Sequence, residues 1–282
     1  MTNPHPEGPE LYWETDGRLQ IRSRFTGESL QDRELIRETY IEREVQVIPN
    51  AHLIHLGGAS IMDRGREALV PLIGEIVTAR REQELVLGVG GGARERHTYA
   101  LGVDLGLPTG ALAAVGWMVC EQNAVMLFHL MAEHRAIEVP YLHYEMLPVY
   151  LREGSIPILM SMPTYSLWEE TPEQGRIPIH RPDTGAMLLA EVLTTRTCIY
   201  VKDVDGLYTE NPKKNPRAEF IPNIAVDELL RMNLPDLPIE RGVLEILKHA
   251  RNRREIRIVN GLEPGALTQA LEGRDVGTLI HQ

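Results

Sequence analysis

Two cysteines, Cys120 and Cys198, are all the chain has in 282 residues. That excludes a disulfide-stapled secreted scaffold, and since both lie in apolar runs they read as buried free thiols. Positive charge is also short. Lys and Arg number 29 against 40 Asp and Glu, a formal net charge of −11. An acidic chain lacks the electrostatic footprint of a nucleic-acid binder, so no nucleic-acid partner is expected. No apolar run looks long enough to cross a bilayer, and the opening MTNPHPEGPELYWETDG has no basic-then-apolar leader pattern. The expectation is therefore no membrane partner and a cytoplasmic location, where disulfides do not persist. Internal repeats, low-complexity tracts and a compact H-x-x-x-H metal signature are absent as well. A site assembled across subunits would leave no such spacing.

What is present is an apolar fraction of 43%, enough for a globular core. Residues 1–44 read as an N-terminal arm, polar at first and helix-like over 30–44. Residues 45–282 read as the folded domain, with a first lobe over 45–178 and a nucleotide-binding lobe over 179–282. Apolar strand patterns fall at 51–56, 84–88, 155–161, 198–201, 255–259 and 276–280. Helical spacing falls at 64–81, 93–105, 110–134, 184–193, 227–232 and 240–250. Residues 162–182, rich in proline, read as a long loop. Strands that alternate with helices imply parallel pairing with helices on both faces, an α/β fold.

Four segments can carry chemistry. Gly57 and Gly58 end the first central strand, where glycine lets backbone N–H groups approach a phosphate, or simply makes a tight turn. Gly90, Gly91 and Gly92 join the next strand to a helix, and Arg94 and Arg96 follow within reach of an anion at that helix start. Asp183-Thr184-Gly185 opens another helix. Its carboxylate reads either as an N-cap or as a group that orients cations around a phosphoryl group. The turn from Lys202 to Pro212 gathers Lys202, Asp203, Asp205, Tyr208 and Asn211 around Gly206, a set suited to a base and ribose or to plain solvation. Histidines are scattered, including His55, His97, His129, His134, His143 and His180.

These segments, with Val204-Asp205-Gly206-Leu207-Tyr208, Val259-Asn260-Gly261 and Gly277-Thr278, resemble the amino acid kinase superfamily on its uridylate kinase branch, in order and spacing from about residue 51 onward. The resemblance implies a three-layer αβα sandwich on a mostly parallel sheet. Met62-Asp63-Arg64-Gly65, Ala93-Arg94-Glu95-Arg96-His97, Gln122-Asn123-Ala124 and the run from Met162 to Trp168 resemble, more closely, the molybdenum storage protein family, its β-type subunits above its α-type. Members of that family bind ATP and hold molybdate or tungstate as polynuclear oxo-clusters in a hexameric cage of related subunits.

The resemblance implies ATP phosphates on Gly57, Gly58 and Gly90–Gly92 with Arg96 nearby. It implies Lys202, Asp205, Gly206, Tyr208, Asn211 and Pro212 around the base and ribose, and Asp183 as the catalytic-type carboxylate orienting cations or Mg²⁺. His129 and His180 stand as candidate cluster contacts. Three departures from uridylate kinases weigh against UMP phosphorylation. Their lysine before the first glycine pair is His55 here, their ribose carboxylate falls at Ala113, and their nucleotide-turn lysine falls at Asp203. Phosphoryl transfer depends on positioned positive charge. The expected function is an ATP-binding oxometalate store assembled as a homo- or hetero-hexamer. A nucleoside monophosphate kinase of altered substrate and a non-catalytic nucleotide-binding subunit are the alternatives.

Overall fold

The structure, a computed structural model, describes residues 46–163, 177–212 and 214–282, with residues 11–13, 15, 17 and 19–21 near the N-terminus. Internal contacts divide the chain into Met1–Val45 and Gln46–Gln282. In the first unit, β1 (Leu11–Trp13) pairs antiparallel with β2 (Leu19–Ile21). The helix expected over 30–44 lies outside the described residues, as do residues 164–176 of the loop expected over 162–182.

The second unit is built on eight strands. In chain order these are β3 (His52–Leu56), β4 (Leu85–Val89), β5 (Ala136–Glu138), β6 (Ile156–Met160), β7 (Thr197–Lys202), β10 (Asn223–Ala225), β11 (Glu255–Asn260) and β12 (Thr278–His281). Two further strands among the described residues, β8 (Leu207–Tyr208) and β9 (Phe220–Ile221), form a separate hairpin. Order across the sheet is β10-β12-β11-β7-β3-β4-β6-β5. All neighbours pair parallel except β11 with β12, which run antiparallel.

The pleat sends alternate residues to opposite faces, which makes two apolar layers. Ile54, Leu56, Leu87 and Val201 face α1 (Arg66–Ala79), α3 (Thr109–Met131) and α8 (Ala266–Leu271). Leu53, Val86, Leu159 and Tyr200 face α4 (Leu147–Arg152), α5 (Pro182–Val192), α6 (Val226–Met232) and α7 (Arg241–His249). The remaining helix, α2 (Gly92–Asp104), packs on α3. The expected αβα sandwich on a mostly parallel sheet is what the chain forms.

One expectation changes. Helix α3, continued by a turn to His134, is long and apolar enough to cross a membrane by length and composition alone. Its inner face is core, with Leu112, Cys120, Ala124, Leu127 and Met131 buried, while Met118, Val125, Met126 and Leu130 are exposed on the outside. Gln122 and Asn123 interrupt the run in sequence, which is why it does not read as one span.

Candidate functional site

The carboxyl ends of β3, β4 and β7 open into a cavity of about 670 Å³, where ligands of open α/β sheets bind. Its wall includes Gly58, Gly90, Gly91, Gly92, Arg96, Asp183, Lys202, Gly206, Tyr208, Asn211 and Pro212. The structure thus brings most of the residues singled out in the sequence to one place. Gly57 and Asp205 stand behind the wall. The Gly57 N–H donates to the Val201 carbonyl at 3.1 Å. Asp205 accepts from Tyr208 Oη at 3.1 Å and from Asn260 Nδ2 at 2.8 Å, which shapes the turn.

The two glycine turns are pressed together. A Cβ on Gly58 would overlap the Gly92 backbone nitrogen and crowd Gly90, so only hydrogen fits there. Gly92 has φ +74, and a Cβ on it would meet the Asp63 carboxylate. That carboxylate takes the N–H of Ala93 at 2.6 Å, so the start of α2 already has an anion at one of its donors. Arg94 turns away from the cavity and donates to Gln122 and Asn123. Arg96 faces it.

At the floor lies Asp183, 7% exposed. Lys202 Nζ donates to both its oxygens at 2.7 and 2.8 Å, and His55 Nε2 stands 2.9 Å from Oδ1. The Glu240 N–H donates to Oδ2 at 3.1 Å. Burial alone would raise the Asp183 pKa, but Lys202 and His55 hold it well below the usual carboxylate range. His55 is fully buried, with Nδ1 2.9 Å from Ser161 Oγ. Burial lowers its pKa against the pull of Asp183, so a neutral imidazole stands where the resemblance to uridylate kinases implies a lysine. The nearest fixed cation comes instead from β7. Lys202, expected beside the base and ribose, lines the cavity, and its ammonium meets Asp183. Asp183 is not an N-cap. It sits inside the first turn of α5, and the cap role falls to the side chain of Glu240 from the residue before α7.

Glu240, Glu95, Tyr99, Arg181 and Ser161 belong to the site and were not singled out in the sequence. Glu95 is buried beside Gly91 and accepts from Tyr99 Oη at 2.8 Å. Burial pushes its pKa up to about 7, with Glu240 adding to the rise. Glu95 and Tyr99 pair one helical turn apart, an i, i+4 spacing the sequence does carry, while Glu240, Arg181 and Ser161 take their meaning from partners in distant segments. His129 and His180 lie away from this cavity. His129 rests against Phe128, with ring centroids 4.9 Å apart, and His180 lines a second groove with His249 and Arg241. Among the described residues no group of three or more His, Cys, Asp and Glu is arranged to hold a metal ion.

The sequence model of the amino acid kinase family matches residues 52–260. The chain belongs to the amino acid kinase family. Within it, the chain is 44% identical over 252 residues to molybdenum storage protein subunit beta of Azotobacter vinelandii, covering 89% of this chain and 93% of that one. It is 28% identical over 235 residues to uridylate kinase of Methanothermobacter thermautotrophicus, covering 81% and 97%. Among solved structures, UMP kinase from Bacillus anthracis superposes with a TM-score of 0.64 at 19% identity, covering 82% of this chain and 96% of the other. Uridylate kinase from Archaeoglobus fulgidus gives 0.63 at 20%, covering 81% and 99%. At such identities the structural likeness speaks for the amino acid kinase fold alone.

Proposed function

We propose that this chain is an ATP-binding subunit of an oligomeric molybdate or tungstate store. The observation that carries the reading is its 44% identity, across 89% of its length, to a molybdenum storage protein subunit beta. ATP phosphates lie over Gly58 and Gly90–Gly92, with Lys202 as the fixed cation and Arg96 toward the far end. Gly57 anchors the turn from behind. Gly206, Tyr208, Asn211 and Pro212 surround the base and ribose, and Asp205 braces them.

The cavity favours a metal-bound nucleotide. Glu95, Asp183, Asp203, Glu210, Asp236 and Glu240 line it against Arg96, Arg181 and Lys202 as permanent cations. Carboxylate oxygens are hard donors that suit Mg²⁺, and a triphosphate entering such a wall needs its charge offset. Mg²⁺ would supply that neutralisation, with Asp203, Glu210 and Asp236 as the wall carboxylates facing it. Asp183 keeps Lys202 extended toward the phosphates rather than ligating metal itself, since its oxygens are already engaged.

Oxometalate clusters are anions, and an acidic subunit holds them through local donors facing an enclosed space. His129 and His180 are candidate donors there, contributed by separate subunits. The exposed apolar side chains of α3 support burial against related chains, in a homo- or hetero-hexamer. Free, buried Cys120 and Cys198 and the acidic balance fit the cytoplasm.

The test is elemental analysis of the full-length protein after growth with molybdate or tungstate, with nucleotide content measured alongside. Retained metal together with adenine nucleotide is the expected result. Protein that retains neither, or that releases ADP only when UMP is added, would sink the proposal.

A further inference from the structure

Glu240 has no counterpart among the motifs of the sequence, yet it is the most heavily bonded carboxylate near the cavity floor. Oε2 accepts from the Thr184 hydroxyl at 2.7 Å, the Thr184 N–H at 3.1 Å and the Arg181 N–H at 3.2 Å. Oε1 accepts from the Asp183 N–H at 3.3 Å, and Arg181 Nε lies 3.6 Å away. In return the Glu240 N–H donates to Asp183 Oδ2. One residue therefore holds Asp183 by its backbone and by its side chain at once. The fit is close. A Cβ on Gly242, in the first turn of α7, would press on the Thr184 hydroxyl, so glycine there leaves the space that lets α7 approach α5.

A single turn of helix offers several unpaired N–H groups, and one carboxylate that collects them fixes both the direction and the depth of that turn. The depth matters because Asp183 must meet Lys202 from β7 and His55 from β3 at bonding distance. We infer that Glu240 is the positioning residue of the site: by capping α5 from α7, it sets Asp183 where it holds the Lys202 ammonium toward the bound phosphates. The inference deepens the ATP-binding reading, and its nucleotide measurement rests on that reading. A second measurement, on nucleotide-free protein, does not.

The experiment uses the full chain with Glu240→Gln and, separately, Thr184→Val, which deletes only the hydroxyl bond. An amine-acylating reagent is applied without nucleotide, and Lys202 is followed by peptide mapping with Lys248 as internal reference. Lys202 should label severalfold faster in Glu240→Gln and less markedly so in Thr184→Val, because Asp183 no longer holds it. ATP affinity should fall about tenfold or more in Glu240→Gln, the scale of one charge-assisted hydrogen bond lost. If Lys202 labels at the wild-type rate in both variants while the melting temperature drops, Glu240 only packs two helices together and the inference is wrong. Should Glu240→Gln not fold, Thr184→Val decides by the same lysine ratio. A wild-type chain that binds no ATP defeats the nucleotide reading and leaves the lysine comparison intact.

Discussion

Asp183 and Lys202 form a buried pair whose partners depend on each other. Removing the lysine leaves a carboxylate with no ammonium in a place water barely reaches. Lys202→Met should therefore cost about 3–5 kcal/mol of stability in a denaturant titration, the range for breaking one half of a buried ion pair. It should also abolish ATP binding by calorimetry. Asp183 has a depressed pKa in the folded state, so its contribution is present above the unfolded carboxylate value and is lost as pH falls. Glu95 has the opposite sign. Its folded pKa, near 7, lies above the unfolded value, so the folded state holds the extra proton between the two. Stability then falls as pH rises through that window, by up to roughly 3 kcal/mol for a shift of this size. Glu95→Gln should flatten that fall relative to wild type in melts taken from pH 4.5 to 7.5. His52, lowered to about 4 by burial, pulls the other way below pH 6.5, which is why the difference between the two proteins is the quantity to measure. At this scale the sequence pointed to Asp183 because a polar residue before a helical run is conspicuous. It did not point to Glu240, whose meaning lies in donors 56 and 57 positions away.

The elements follow their sequence patterns closely where burial is one-sided or complete. Strands expected at 51–56 and 255–259 appear as His52–Leu56 and Glu255–Asn260, and the helix expected over 64–81 appears as Arg66–Ala79. Short elements went unread: β5 and α4, and the hairpin of β8 and β9, are too brief to show a period. Nor were β10, α8 and the antiparallel pairing of β12 with β11 legible, since the alternation of strands and helices was read as parallel throughout. The glycine turns were legible as turns, but not their mutual contact. Gly58→Ala should test that contact. Its Cβ would overlap the Gly92 backbone, and backbone cannot rotate aside as a side chain can. The variant should lose about 1–3 kcal/mol on thermal or denaturant unfolding, as overpacked sites do, and bind ATP more weakly. Gly74→Ala, where nothing lies within 4 Å, is the matched control and should leave binding unchanged.

Across the whole molecule, charge and exposed apolar surface make further claims. On the proposed ATP-binding reading, the acidic wall of the cavity predicts that ATP binds at least about tenfold more weakly in EDTA than with Mg²⁺, since Coulomb repulsion inside a cleft is little screened. Equal affinities by equilibrium dialysis would refute this. If α3 is buried in the proposed oligomer, Met126→Glu combined with Leu130→Glu on its outer side should shift the protein to smaller species on size-exclusion chromatography, with the circular dichroism of the fold retained. By itself the sequence determined the alternation of strands and helices, the glycine turns and the Asp183 motif, because each is written in neighbouring residues and their period. Only the tertiary structure decided the strand order, the meeting of Lys202 from β7 with Asp183 and His55, and the grip of Glu240 on Asp183. Those depend on which strand ends and helix starts come together, and long-range packing of the sheet, not local preference, brings them there.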